Sequence, residues 1–353
     1  MINNAKKGIL FFVFLIISGA FCSAQSKTDN IKWINSNLGG FQIKIEPHTR
    51  GMMSSNLAMQ FNGVFQMLRQ NIDWMIPGKV NVEVYQDKKS FLLHNRDIAE
   101  DWSGALFDPE RNIIVMYDEP KRQKQMMKKF AHELTHLFVE NTFNPPDSKA
   151  PKKEPPVWLN EGLAVNMEDL AQTPKGGVWN NDLIVINIFS GGEHETLKAR
   201  KQTGGLTEKE KEGLRKFAVS DKIVFFQNFV DFIEPDSYDK ALAAGKVDDW
   251  YLQAYAMVRF LFRSDNSTTP NKRMQFKQLV ETLAKYNPKR DETGKLVLSA
   301  DGKKIMVRPS IEEALKIAYK YQSVLAFEED FWHWLTAYQA IGRKKIKNSV
   351  KGK

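Results

Sequence analysis

The stretch KKFAHELTHLFVENT, residues 128–142, sets two histidines four residues apart, with a glutamate directly after the first. On an α-helix such positions project from nearly the same side, so His132 and His136 can aim a ring nitrogen at one point. Zinc takes imidazole nitrogens at about 2.0–2.1 Å. Glu133, one step on, falls beside such an ion, where its carboxylate can take a proton from water. The bland alternative is an ordinary helix whose histidines pack or face solvent, with Glu133 paired to Lys129 at helical spacing.

A catalytic zinc site needs three protein ligands and an open position, so a third ligand is sought downstream. The pattern that supplies another histidine needs Gly at 139 and His at 142; this chain has Val139 and Thr142. Residues 156–169 instead read PVWLNEGLAVNMED, with apolar spacing that predicts a helix from about Trp158 to Gln172. Between the two helices, NPPDSKAPKKEPP reads as an exposed loop because prolines and charges break periodicity.

Upstream, FQIKIE from Phe41 alternates like a strand, Ser54 to Met75 has helical spacing, and VNVEVY from Val80 alternates again. Ser90 to Asn95 suits a short helix. SGALFDPERNIIVMYD, residues 103–118, predicts an antiparallel hairpin, its turn made by Asp108-Pro109-Glu110-Arg111-Asn112. The motif helix is expected to start near Asp118 or Glu119, with Pro120 in its first turn, and to end near Asn141. After Gly204 the apolar spacing predicts helices over 206–218, 250–263, 271–285, 310–321 and 326–340. One exception is KLVLSADGKKIMV, residues 295–307, where Asp301-Gly302 predicts a tight hairpin.

At 353 residues and 42% hydrophobic, the chain can bury a large core. Lys6 and Lys7 precede an apolar run from Gly8 to Ala20, and small residues follow at Cys22 and Ala24. This suits a signal peptide over 1–24, cleaved after Ala24. The run falls short of the roughly 20 residues that a membrane anchor needs, so the expected location is exported, periplasmic or extracellular, with no transmembrane span after cleavage. Cys22 is the sole cysteine. The mature chain therefore has no disulfide, thiolate nucleophile or thiolate ligand. Removing Lys6 and Lys7 from a chain of net charge +9 leaves +7, much of it in the ending GRKKIKNSVKGK. That basic tail, residues 344–353, lacks interleaved aromatics, and no nucleic-acid motif accompanies it, so nucleic acid is not an expected partner.

HELTH followed by WLNEGLAVNME resembles the gluzincin metallopeptidases, especially the membrane alanyl aminopeptidase group and the peptidase-MA-like domains of secreted bacterial proteins. The resemblance covers roughly residues 40–265. It implies an α+β, zincin-like fold: a small mixed sheet, the motif helix and a mainly helical C-terminal part. The expected organisation is a catalytic domain over 25–265 and a helical region with a hairpin insertion over 266–343. It also implies one zinc ion per chain held by His132, His136 and Glu161, with Glu133 as general base and a peptide or protein as substrate.

Glu168 lies two helical turns after Glu161 on the same face and matches an acidic position of the aminopeptidase pattern. It is read as a group that orients a ligand, because metal-bound imidazoles donate their other N–H to such acceptors. Related gluzincins supply an oxyanion donor from a later helix. Here DDWYLQAYAMVRFLFR, residues 248–263, offers Tyr251 and Tyr255, with Tyr251 favoured by the resemblance; both remain candidates for plain core packing. His194, in SGGEHET, is a weaker candidate. The gluzincin edge strand binds substrate backbone, which maps onto Gly104, Ala105 and Leu106. Aminopeptidases carry G-x-M-E-N at this place, and its glutamate grips the substrate amino terminus. This chain has Phe107 there, which favours an endopeptidase.

His48 and His94 have no ligand partner at short spacing and read as surface residues. In FEEDFWHWLTAY, residues 327–338, the spacing of Phe331, Trp334 and Leu335 predicts a docking helix, with His333 no ligand. Two other function classes compete: a gluzincin scaffold that binds without catalysis, and a zinc hydrolase of a bond other than a peptide.

Overall fold

Alternation along two strands sets the layering. Phe41, Ile43 and Ile45 of β2 (Phe41–Ile45) and Val80, Val82 and Val84 of β3 (Val80–Tyr85) are buried on one face of the sheet. The computed structural model describes residues 31–38, 40–47, 54–72, 76, 78–99, 103–119, 123–148, 152–171, 228–262 and 271–334. The signal-like segment, His48, His194, the helix expected over 206–218 and the basic tail lie outside these residues.

The fold is mixed α+β, built on a five-stranded sheet of order β1-β2-β3-β5-β4. β1 (Ile34–Leu38) pairs antiparallel with β2, β2 pairs parallel with β3, and β3 pairs parallel with β5 (Ile113–Tyr117). β4 (Ala105–Asp108) closes the edge antiparallel to β5. The helix α1 (Ser54–Ile72) supplies the crossover that a parallel β2-β3 pair requires. A second short helix, α2 (Lys88–His94), is capped by Asp87, whose carboxylate accepts the Ser90 N–H at 2.8 Å.

The expected β4-β5 hairpin is present. Asp108 Oδ1 accepts the Glu110 and Arg111 amides at 2.9 and 3.1 Å, and Asn112 takes the left-handed conformation that the turn needs (φ 49°). The two faces of the hairpin differ. Ala105 and Phe107 join the main core beneath the helices, whereas Leu106, Ile113 and Val115 join Tyr85 and Phe91 in a smaller cluster on the opposite face. His94 is not a plain surface residue: it is half-buried there, its ring stacked 5.8 Å from that of Tyr85.

On the main face lies α3 (Gln123–Phe143), buried on every side from Phe130 to Val139. Phe130 stacks on Phe61 of α1 at 3.9 Å, holding α3 against the sheet. The opposite flank of α3 meets α4 (Val157–Ala171). The intervening linker is tied down more than a free loop would be: Asn144 accepts the Lys153 amide and donates to its carbonyl, both at 2.7 Å.

Two short helices, α5 (Phe229–Phe232) and α6 (Ser237–Ala243), lead into α7 (Val247–Leu261), which packs on α4. Then α8 (Asn271–Ala284), α9 (Ile311–Tyr319) and a last described helix over 324–334 share the same buried cluster through Phe276, Leu279, Leu315 and Phe331. His333 is exposed on that last helix. Between α8 and α9 the expected hairpin at Asp301-Gly302 is present (Gly302 φ 78°), and a second turn at Gly294 (φ 82°) precedes it. They are closed by β6 (Asn287–Pro288) against β7 (Met306–Val307) and by bridges Arg290–Leu296 and Leu298–Lys304. Among the described residues, no helix is long and apolar enough to cross a membrane.

Candidate metal centre

The centre is assembled from two helices. His132 and His136 sit one turn apart on α3, with ring centroids 4.7 Å apart, and α4 brings Glu161 against both. His132 Nε2 lies 3.6 Å from Glu161 Oε2, and His136 Nε2 lies 3.7 Å from Glu161 Oε1, too long for hydrogen bonds. One ligand atom from each of the three residues falls within 4.8 Å of the others, close enough to hold a metal ion. All three residues are buried.

The outer ring nitrogens fix how these histidines face. His132 Nδ1 is 2.7 Å from Glu168 Oε1, and His136 Nδ1 is 2.9 Å from Asn160 Oδ1. A carboxylate and an amide oxygen only accept, so both Nδ1 atoms carry hydrogen and donate. Each Nε2 therefore points towards Glu161. His132 Nε2 and Glu161 Oε2 are buried and make no hydrogen bond, and a cation between them would satisfy both. Two imidazole nitrogens and one carboxylate form a donor set that zinc accepts.

Burial opposes charge on His132, but the carboxylates of Glu161 and Glu168 beside it outweigh that and hold the ring well above the usual histidine range. His136 is pushed down, chiefly by burial. Burial also works to raise Glu161. The electrostatic attraction of the two imidazoles, His136 first and His132 next, more than offsets it and favours the carboxylate. Glu168 is likewise held below its ordinary value against its burial, by His132 first and by Lys128 at 3.7 Å.

Glu133 does not pair with Lys129, which binds Glu119 at 2.7 Å instead. Its Oε2 accepts the Phe107 N–H at 2.8 Å, and burial, its largest influence, raises its pKa to about 7. The N–H of Phe107 points away from β5, so the sheet edge aims a donor at the centre. Gly104 and Ala105 are buried at this edge, while the Leu106 side chain lies on the other face of the sheet, because side chains alternate along the strand.

Tyr251 is 1% exposed, and burial first, with the negative charge of nearby Glu161 second, pushes its hydroxyl well above the ordinary tyrosine range. Tyr255, one turn on, is also buried, and its backbone carbonyl accepts Asn166 Nδ2 at 3.0 Å. The structure thus gathers His132, His136 and Glu161 around one point, with Glu168 behind the outer nitrogen of His132.

Two members have no forecast in the residue pattern read alone. Asn160 directly precedes Glu161, and a polar residue so placed on a largely apolar helix was the available signal. The Phe107 amide is backbone and leaves no trace in sequence. The chain matches no protein-family model and no curated protein.

Proposed function

We propose that this chain is an exported, gluzincin-like zinc peptidase that cuts peptide bonds within a chain. The observation that carries the reading is the convergence of His132 Nε2, His136 Nε2 and a Glu161 carboxylate, their outer partners turning both rings inward, with Glu133 beside them. Zinc held by these three residues supplies a Lewis acid that acidifies water and polarises a carbonyl.

The chain's own groups do the rest. The Phe107 N–H holds Glu133 Oε2, which leaves Oε1 to take a proton from the attacking water as its oxygen bonds to the scissile carbon. The same carboxyl then delivers that proton to the leaving nitrogen as the C–N bond breaks. A pKa lifted by burial to about 7 suits a group that must both accept and return a proton near neutrality. Tyr251 O–H donates to the oxygen that gains charge. Phe107 is buried in the core where an aminopeptidase places a glutamate, so nothing at that position grips a free amino terminus, which favours internal cleavage.

A buried base held by a strand amide also separates this reading from a purely structural metal site, which has no use for one. Glu133→Gln keeps the shape of the side chain and removes its basicity. The expected result is hydrolysis of a quenched peptide library reduced on the order of 10³-fold or more at unchanged zinc content. Hydrolysis that survives the substitution removes Glu133 from the mechanism. A wild-type chain that binds zinc but cleaves only ester or other non-peptide substrates moves the activity to another bond class.

A further inference from the structure

Gly162 follows Glu161 on α4, at the closest approach of α7. A methyl group built on Gly162 falls 2.5 Å from the Ala254 carbonyl oxygen and 2.7 Å from a Val258 methyl, both on α7. The obstacle at Ala254 is backbone, so only a residue without Cβ lets the helices meet this closely. One turn along α4, Asn166 is 1% exposed. Its Nδ2 donates to the Gly162 carbonyl at 2.6 Å and crosses to the Tyr255 carbonyl at 3.0 Å. A buried amide bonded to a neighbouring helix's backbone fixes both the spacing and the rotation of that helix.

Tyr251 lies three residues before Ala254 and four before Tyr255, hence on the face of α7 that these contacts clamp. Its ring is boxed by Trp250 at 5.2 Å and Tyr238 at 6.3 Å, and Trp250 Nε1 donates to Ser237 Oγ at 3.1 Å. The tyrosine therefore moves with its helix.

The geometry points to Gly162 and Asn166 as positioning residues that hold the Tyr251 hydroxyl at the metal-ligand cluster by locking α7 onto α4. The Asn166 amide hydrogens go to the Gly162 and Tyr255 carbonyls and not to the three ligand candidates. The catalytic consequence rests on the peptidase reading, whereas the placement of Tyr251 does not. Misplacement of a catalytic group by about 1 Å can cost 10²-fold in rate, so a slackened lock shows in kcat before it shows in substrate binding.

The test is a double-mutant cycle of Asn166→Leu, which keeps the branched shape of the side chain and removes the cross-helix bond, with Tyr251→Phe. On a quenched peptide that the wild type cleaves, Asn166→Leu is expected to lower kcat about tenfold at unchanged KM and zinc content. In the Tyr251→Phe background the same change is expected to alter kcat less than about twofold, because the group it positions is gone. Losses that multiply across the two backgrounds, or an Asn166→Leu kcat within twofold of wild type, overturn the inference. Gly162→Ala, where it yields folded protein, is expected to reproduce the kcat loss; a wild-type kcat there also overturns it.

Visible absorption of the cobalt(II)-loaded chain supplies a readout free of turnover. Tyr251 lies within electrostatic reach of the Glu161 carboxylate, so Asn166→Leu and Tyr251→Phe are expected to shift the cobalt band alike and without adding in the double variant. Absent or additive shifts overturn the inference. A wild type that loads cobalt and cleaves no peptide removes the peptidase reading and leaves these spectra to decide the placement of Tyr251.

Discussion

Between α3 and α4 the polar side chains find partners far along the chain: buried His132 meets half-buried Glu168, buried His136 meets half-buried Asn160, and Glu133 meets the Phe107 amide with both sides buried. In the excursion between α8 and α9 the partners are immediate neighbours. Asp291 Oδ1 accepts from the Thr293 and Lys295 amides at 2.9 and 3.0 Å, and Ser299 bonds within its own turn to Asp301 and Lys303. Its apolar side chains stay in solvent, Leu298 at 53% and Met306 at 45% exposure. Local polar bonds close a turn and ask nothing of the rest of the fold. Distant buried ones cost desolvation that only the assembled core recovers, and they persist where they hold a geometry that chemistry uses.

The largest effect expected from that contrast comes at Glu161. Glu161→Ala removes the one ligand candidate contributed by α4, and zinc affinity is expected to fall on the order of 10³-fold or more, read by competition with a chromophoric chelator. Equal zinc in wild type and variant takes Glu161 out of the centre. Asn160→Ala is the milder break, because it frees the outer nitrogen of His136 without removing a ligand. Losing such a partner costs about 10–100-fold in metal affinity, and isothermal titration would detect either end of that range. An Asn160→Ala protein that binds zinc as wild type does would mean that helix packing alone orients the ring.

How much of this was legible in sequence follows from the same distinction. Periodicity exposes what one segment does by itself: the two histidines at helical spacing, Glu168 two turns beyond Glu161, and the Asp108–Asn112 turn with its local side-chain bonds. Identifying Glu161 as a third ligand needed the resemblance of two motifs, because nothing within either segment says that they meet. Asn160 escaped because its role depends on the distance between α3 and α4. The Phe107 amide escaped because backbone has no letter. β1 escaped for a different reason. Asn35, Ser36 and Asn37 are polar and break the alternation, so the strand exists through its backbone pairing with β2 and not through a buried face.

Asp118 sharpens the contrast from the opposite side, as a buried polar group that no distant partner has claimed. It is buried, and neither carboxylate oxygen makes a hydrogen bond. Burial first, and the Glu119 charge second, raise its pKa from 3.8 to about 6. With the folded value above the unfolded one, the native state binds the extra proton. Its stabilising effect is complete below about pH 4 and is lost as pH rises through about 6. Asp118→Asn should therefore be neutral at pH 4 and more stable than wild type at pH 8, by about 1 kcal/mol after allowance for solvent relaxation. Urea unfolding at both pH values checks it. Equal stability at pH 8 would show that Asp118 ionises there at no cost.

An effect of similar size, but confined to one turn, is expected at Gly302, and it probes whether the excursion is as self-contained as its bonding pattern implies. Its φ of 78° is strained for any side chain, although a methyl group there would meet no atom within 4 Å. Gly302→Ala should therefore cost about 1 kcal/mol within the turn. Three backbone bonds join the turns: Lys289 N–H to the Ile305 carbonyl, Val297 N–H to the Lys289 carbonyl, and Ile305 N–H to the Val297 carbonyl. Amides there should exchange about five-fold faster, the rate equivalent of that cost. The main core reaches the excursion at its base, where Arg308 bonds the Glu154 carbonyl and Lys153 the Ala284 carbonyl. Protection in α3 and zinc affinity should stay at wild-type values. A change in either would mean that strain at the tip travels through Arg308 to the linker between α3 and α4, and the two regions would then be one mechanical unit.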